Sequence, residues 1–279
     1  MRKTLSLLVG LLAFLTACGE QPTNEPLSRE DAQVLKLSIV EGDRYLVASL
    51  GSPGGLLSGQ ALPGPVVQLF RVSGLDAQNA NCVVSTSPSN PQDQDGDGLP
   101  FQATYSVDCQ SGNTVLKGRM TLRDKDDTNP RGGYTLETDY YELRIGAGTP
   151  GEKWIKLDLD LDLSPRGTGY DSRFNFHLEL YESGRRYSYR RNYTATYTPD
   201  NPNNPFAGGT FNYSGVLEYR TPSRYYRLES VASDLRYLQS CSSTFVGGTL
   251  SLTDSRGNRL ILRYNGCNNV TAIYNGQPL

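Results

Sequence analysis

Residues 154–163 read Trp-Ile-Lys-Leu-Asp-Leu-Asp-Leu-Asp-Leu, and this strict period of two constrains the fold more than any other feature. Side chains that alternate between two faces belong to a β-strand. Leu157, Leu159, Leu161 and Leu163 therefore share one face, and Asp158, Asp160 and Asp162 share the other. A turn follows at Ser164-Pro-Arg-Gly-Thr-Gly, and Arg173-Phe-Asn-Phe-His-Leu-Glu-Leu then alternates again. Phe174, Phe176, Leu178 and Leu180 share a face in turn, and if the two segments pair with residue numbers summing to 335, leucines meet phenylalanines on the apolar face. On the polar face Asp162 then meets Arg173, Asp158 meets His177, and Lys156 meets Glu179. A slip of one residue would mix the two faces, so the pattern fixes the register.

The same logic predicts strands over 187–198, 210–219, 225–235, 248–253, 259–264 and 270–274. Earlier strands are expected over 32–40, 44–50, 66–73, 102–108, 114–123 and 134–145, and no segment holds a helical stripe for three turns. Asp254-Ser-Arg-Gly-Asn258 has the composition of a hairpin turn. Sparse lysine, 18 tyrosines and 29 glycines suit strands joined by tight turns. The expected class is all-β: an antiparallel meander closing as a barrel or folding as a sandwich, because an open sheet leaves exposed edges. Residues 31–279 read as one large β domain, with a soft sub-boundary near 124–133.

The chain begins differently. Met1-Arg2-Lys3 is a short basic segment, Leu5–Leu15 is an apolar run, and Leu15-Thr16-Ala17-Cys18 follows. The run is too short to span a bilayer stably, and the layout is that of a secretory signal. The Leu-Thr-Ala-Cys ending resembles the lipobox of bacterial lipoproteins. The resemblance implies cleavage after residue 17, a signal peptide over 1–17, and diacylglycerol (with a further acyl chain) on Cys18. Two or three acyl chains anchor a protein durably where one does not. Residues 18–30 then form a polar, proline-bearing, lipidated tether. Gly19 after the cysteine implies, in that family, a cell-envelope location on the outer membrane where the host has one. The membrane would thus be the first partner, met through lipid.

Losing residues 1–17 removes two cations and no acid from totals of 27 and 29, so the mature chain carries −4. That balance argues against nucleic acid as a partner. Besides Cys18 there remain Cys82, Cys109, Cys241 and Cys267, an even number in an exported chain, which points to disulfides. Three pairings are possible, and Cys82–Cys109 with Cys241–Cys267 is favoured because each pair brackets a local strand-loop-strand unit. Each bridge would be worth about 3–4 kcal/mol on the chain-entropy account.

The sharpest internal motif is Asp93-Gln-Asp-Gly-Asp-Gly-Leu-Pro. Carboxylates at alternate positions can wrap one hard cation, with Gly98 permitting a sharp turn. The motif resembles the calcium loops of thrombospondin type 3 repeats, dockerins and EF-hands. The resemblance implies Asp93, Asp95 and Asp97 as side-chain ligands and Leu99 as a backbone ligand of a structural calcium ion. It departs from the EF-hand where the closing glutamate belongs, since Thr104 stands there, and Asp108 is the substitute on offer. The second acidic stretch, Asp124-Lys-Asp-Asp-Thr-Asn-Pro, is spaced more loosely and reads as a solvated turn.

Residues 134–237 hold 14 of the 18 tyrosines. Tyr187, Tyr189, Tyr193 and Tyr197 share a face, with Arg186 and Arg190 pointing the other way. Such a row reads first as core and second as the lining of a site for a small amphipathic ligand. One histidine, His177, and the lack of a Gly-x-Ser-x-Gly elbow, a P-loop or an HExxH motif argue against catalysis. The expected role is therefore binding or structural, with an envelope protein or amphipathic ligand as partner. A lipocalin-like carrier and a carboxylate-based glycosidase, which would use a pair such as those in the Asp158/Asp160/Asp162 row, stand as alternatives.

Overall fold

The computed structural model describes residues 25–50, 55–57, 60–62, 81–97, 99–182, 184–205, 207–241 and 243–279. The expected leader over 1–17, Cys18, Gly98 and the strand expected over 66–73 lie outside them. In chain order the elements are helix α1 (Arg29–Leu50), a small hairpin β1 (Gly55–Leu57) and β2 (Gln60–Leu62), and β3 (Asn81–Ser87). There follow β4 (Ala103–Ser111), β5 (Thr114–Asp124), β6 (Tyr134–Ile145), β7 (Lys153–Arg166), β8 (Gly169–Glu182) and β9 (Arg185–Pro199). The chain ends with β10 (Gly208–Arg220), β11 (Tyr225–Leu238), β12 (Gly247–Thr253), β13 (Arg259–Tyr264), β14 (Val270–Tyr274) and β15 (Gln277–Pro278).

Strands β3 to β15 form a single 13-stranded antiparallel sheet in which each strand pairs with its neighbours in sequence. This is the expected all-β meander. Among the described residues hydrogen bonds do not close it into a barrel: β3 and β15 are its two edges. The ladder slips between Arg119 and Met120, between Glu137 and Tyr141, between Phe211 and Tyr213, and between Ser233 and Arg236. Such irregularities bend a sheet and increase its twist. One apolar face runs across the strands as one buried cluster, from Val107 and Leu116 through Leu159 and Tyr193 to Leu250, Leu262 and Ala272.

The register of β7 and β8 is the one the alternation dictates: Lys153 pairs with Glu182 and so on to Arg166 with Gly169. Leu157, Leu159, Leu161 and Leu163 are buried, with Leu159 and Leu161 opposite Phe176 and Phe174. Toward the β8–β9 turn the alternation fades. Leu178 and Leu180 are half-buried, while Glu179 is buried beneath Arg186 and Tyr181, which both donate to its carboxylate. The polar-face pairings hold in register, with Arg173 an electrostatic neighbour of Asp162 and Asp158 of His177, although the closest contacts go elsewhere. Asp162 bonds Lys125 at 2.5 Å rather than Arg173, and Lys156 lies 4.1 Å from the centre of the Trp154 ring rather than against Glu179.

The strands expected over 32–40 and 44–50 are instead α1. Leu35, Leu37 and Ile39 fit a period of two, yet Ala32, Leu35, Ile39, Leu46 and Val47 also fall on one helical stripe, and these are the buried residues. Leu37 and Val34, on the other side, are exposed. Ser28 caps the start: its Oγ accepts the Asp31 N–H at 3.1 Å and donates to Asp31 Oδ2 at 2.6 Å. Residues 25–28, the end of the expected tether that precedes α1, lie against the β domain. Leu27 is buried, its N–H donating to Asp254 Oδ2 at 2.7 Å, and Glu25 N–H reaches the Tyr225 carbonyl at 3.3 Å.

Helix α1 lies on the apolar face of the sheet. Asp43 Oδ1 receives Arg191 Nη1 at 2.6 Å, Asp43 Oδ2 receives the Tyr264 hydroxyl, and Arg191 Nη2 donates to the Ile39 carbonyl at 2.9 Å. Both charged side chains are fully buried. At Gly42 an added Cβ would stand 3.0 Å from the Tyr189 ring, so the helix seats closely there.

Both disulfides form in the favoured pairing. Cys82–Cys109 joins directly opposed residues of β3 and β4, and Cys241–Cys267 ties the β11–β12 connection to the β13–β14 connection.

Removing one partner of the Asp43–Arg191 pair leaves a charge stranded in the core, and Arg191→Ala is expected to lose about 3–5 kcal/mol. Val34→Ala, on the exposed side of α1, should stay within about 0.5 kcal/mol of the wild type. Urea unfolding followed by circular dichroism measures both; equal midpoints for the two variants would contradict the placement of α1.

Candidate metal centre

The 92–101 loop leaves β3 and returns to β4, closed by the Phe101 N–H donating to the Gln92 carbonyl at 2.8 Å. Within it Asp93 Oδ1 accepts the Gly96 N–H at 2.8 Å, Asp95 Oδ1 the Asp97 N–H at 3.1 Å, and Asp97 Oδ1 the Leu99 N–H at 2.7 Å. The last two are Asx turns, and all three are the local habit of aspartate in a tight loop. They gather Asp93, Asp95 and Asp97, the expected ligand set, so that one carboxylate oxygen of each lies within 4.8 Å of the others. Leu99, expected as a backbone ligand, also buries its side chain in the core and so roots the loop.

The second acidic stretch is a turn with Lys125, Asp126, Thr128, Asn129 and Pro130 exposed, as its spacing suggested, but Asp124 and Asp127 are buried. Asp124 ends β5, and its N–H donates to the Pro100 carbonyl at 3.2 Å. Asp127 Oδ1 accepts the Gln94 N–H at 3.1 Å. The turn reaches its compact form through Gly132 and Gly133. Gly133 has φ +77°, and an added Cβ would stand 2.3 Å from the Leu163 carbonyl oxygen. Asp95, Asp124 and Asp127 thereby meet, again within 4.8 Å, although about thirty residues of sequence separate the two stretches. The spacing within either stretch gives no sign of the other. The clue available was the density of aspartate in both.

Charge crowding is plain at this place. Burial, followed by Asp95, Asp124 and Asp93, pushes the Asp97 carboxyl up to about 7 against the pull of the Leu99 N–H. Asp124 is raised too, by burial first and then by Asp95, Asp127 and Asp126. Asp95, Asp124 and Asp127 each keep Oδ2 buried with no hydrogen-bond partner. A buried carboxylate oxygen without a donor is unfavourable unless a cation meets it. All-oxygen coordination by carboxylates suits a hard divalent ion, calcium above all.

Asp108 does not join the cluster. It stands on the exposed face of β4 and pairs with Lys117 at 3.2 Å.

The tyrosine row is largely core. Tyr189, Tyr193 and Tyr197 are buried, and Tyr187 is half-buried near the start of β9. Tyr193 stacks on Tyr213 and Tyr197 on Phe211, each with centroids 4.3 Å apart. The tyrosine face also holds Arg191, which sequence reasoning missed although its odd number places it in the same row. On the opposite, polar face an open depression of about 950 Å³ runs from β7 to β11, lined by Asp162, Arg173, Thr194, Asn212, Ser214 and Ser233 among others. His177 lies on that face, half-buried, with Nε2 3.1 Å from Ser188 Oγ; burial and Arg190 lower its pKa. Asp158 accepts the Thr138 hydroxyl at 3.2 Å, and burial together with Asp158 and Glu137 raises Asp160.

No known protein family matches the chain, and neither a curated protein nor a solved structure matches it.

The folded Asp97 carboxyl holds its proton to about 7, while an unperturbed one releases it near 3.8. Between those values the folded state binds more protons than the unfolded one, so this group's contribution to stability falls as pH rises. In chelator-treated protein, Asp97→Asn is expected to gain in melting temperature over the wild type from about pH 4 to about pH 7. A difference that stays constant with pH would show that Asp97 titrates normally.

Proposed function

We propose that this chain is a lipid-anchored protein of the cell envelope, held by acyl chains on Cys18, whose β domain has a binding or structural role and is stiffened by calcium. The anchor follows from the lipobox resemblance, and Gly19 favours the outer membrane where there is one. The observation that carries the calcium reading is the set of buried, unpartnered Oδ2 atoms on Asp95, Asp124 and Asp127. Two disulfides and a divalent ion are complementary ways to hold loops of an exported protein, since both act where few apolar side chains are available.

A binding role would use the polar face. The apolar face is covered by α1 and by its own rings, whereas the depression from β7 to β11 is open and lined by hydroxyl, amide and charged groups. An envelope protein fits such a surface better than an apolar ligand does. The mature charge of −4 gives no footing for nucleic acid. The role is binding or scaffolding rather than catalysis.

Two measurements test the two halves. At a calcium concentration about a hundred times the dissociation constant, binding adds about 2.7 kcal/mol, a melting shift of about 5–10 °C for a domain of this size. Equal melting curves in millimolar calcium and in EDTA would remove the calcium reading. Cys18→Ser is expected to move the protein from the detergent phase to the aqueous phase on Triton X-114 partitioning, with loss of labelled palmitate. Retention in the detergent phase would remove the anchor.

A further inference from the structure

We propose that the cation is held between the two acidic loops, by Asp95, Asp124 and Asp127, and that it clasps the 92–101 loop onto the 124–133 turn. The proposal rests on the calcium reading above and moves the centre of the site away from the contiguous motif. The three carboxylates share one arrangement. Each gives Oδ1 to a backbone N–H: Asp95 to Asp97, Asp124 to Asp126 and Asp127 to Gln94, all at 3.1 Å. Each keeps Oδ2 buried with no hydrogen bond. Asp124 is 1% exposed and Asp127 6%, so solvent does not solve the problem for either. Two oxygens on opposite sides of one calcium ion stand about 4.6–5.2 Å apart, and the three residues offer oxygens within 4.8 Å of one another.

The cationic side chains of the second loop aim elsewhere. Lys125 bonds Asp162 at 2.5 Å and Ser164 at 2.7 Å, and Arg131 Nη2 donates to the Gly167 carbonyl at 3.0 Å. The nearest lysine in sequence therefore neutralises a carboxylate of the neighbouring strand and leaves the cluster its negative charge. Asp93 contrasts with the three. It is exposed, as the outermost member of the contiguous motif. Asp97 shares the first group with it and would sit at the rim of the clasp.

The consequence is mechanical. The 92–101 loop follows β3, the edge strand that Cys82–Cys109 pins to β4, and the 124–133 turn joins β5 to β6. An ion between them ties the edge hairpin to the body of the sheet through side chains, where backbone pairing already links the strands. Both loops should tighten together when the ion enters.

The test uses the mature chain in detergent, with calcium chloride as the titrant in calorimetry and hydrogen exchange as the second readout. Asp124→Asn and Asp127→Asn are each expected to weaken calcium binding by about tenfold or more, and Asp93→Asn by less than about threefold. Calcium should slow amide exchange in 92–101 and in 124–133 over the same concentration range. The asparagine variants keep shape, and their EDTA melting temperatures, expected to be no lower than that of the wild type, report folding separately. If Asp93→Asn abolishes binding while Asp124→Asn and Asp127→Asn leave it intact, the ion belongs to the contiguous loop: the clasp falls and the calcium reading stands. If the wild type binds no calcium at millimolar concentration, both fall.

Discussion

Arg191 lies in the middle of the meander with no exposed surface, and Asp43 of α1 is the carboxylate that makes its burial tolerable. The charge cannot be left alone there, because a desolvated guanidinium without a partner is far more costly than an ion pair with satisfied donors. Its donors go to Asp43, the Ile39 carbonyl and the Tyr189 hydroxyl, and Asp43 takes the Tyr264 hydroxyl as well. Helix α1 and strands β9 and β13 are thus tied at one point. A helix on a broad apolar sheet could slide or rotate at little cost if only methyl groups met. The pair fixes its position, and the buried stripe of Leu35, Ile39 and Leu46 then packs in one way.

The same chain treats buried charge in a second manner at the acidic loops. The core pair is neutral within the protein. The aspartates of the loops are not: backbone N–H groups satisfy one oxygen of each and Lys125 turns to Asp162. Raised carboxyl pKa values at Asp97 and Asp124 are the electrostatic trace of that imbalance. Core and loop therefore respond to different agents. The Asp43–Arg191 pair depends on the fold alone, while the loop cluster is coupled to protons and, through the proposed clasp, to a divalent ion.

The alternation in 154–163 and 173–180 sets its own partner and register, because a one-residue slip would expose leucine and bury aspartate. The favoured disulfides follow for a similar reason, since each cysteine pair brackets a hairpin. Residues 32–40 point to the wrong element because Leu35, Leu37 and Ile39 satisfy a period of two as well as Ala32, Leu35 and Ile39 satisfy a helical one. The Ser28–Asp31 cap was the available signal for the helix. Asp93, Asp95 and Asp97 were visible as a candidate metal loop by their spacing. Asp124 and Asp127 were not, because their spacing in sequence resembles that of an ordinary turn.

By itself, then, the sequence determined most of what depends on neighbours along the chain: strand identity from residue 102 onward, the β7–β8 register and the hairpin order. Tertiary structure decided what depends on distant residues meeting. It placed Asp43 against Arg191, seated α1 on Tyr189 and brought Asp124 and Asp127 to Asp95. Short-range periodicity reports which face a side chain takes. It carries no information about which side chain from elsewhere will share that face, and burial of charge is settled by that second question.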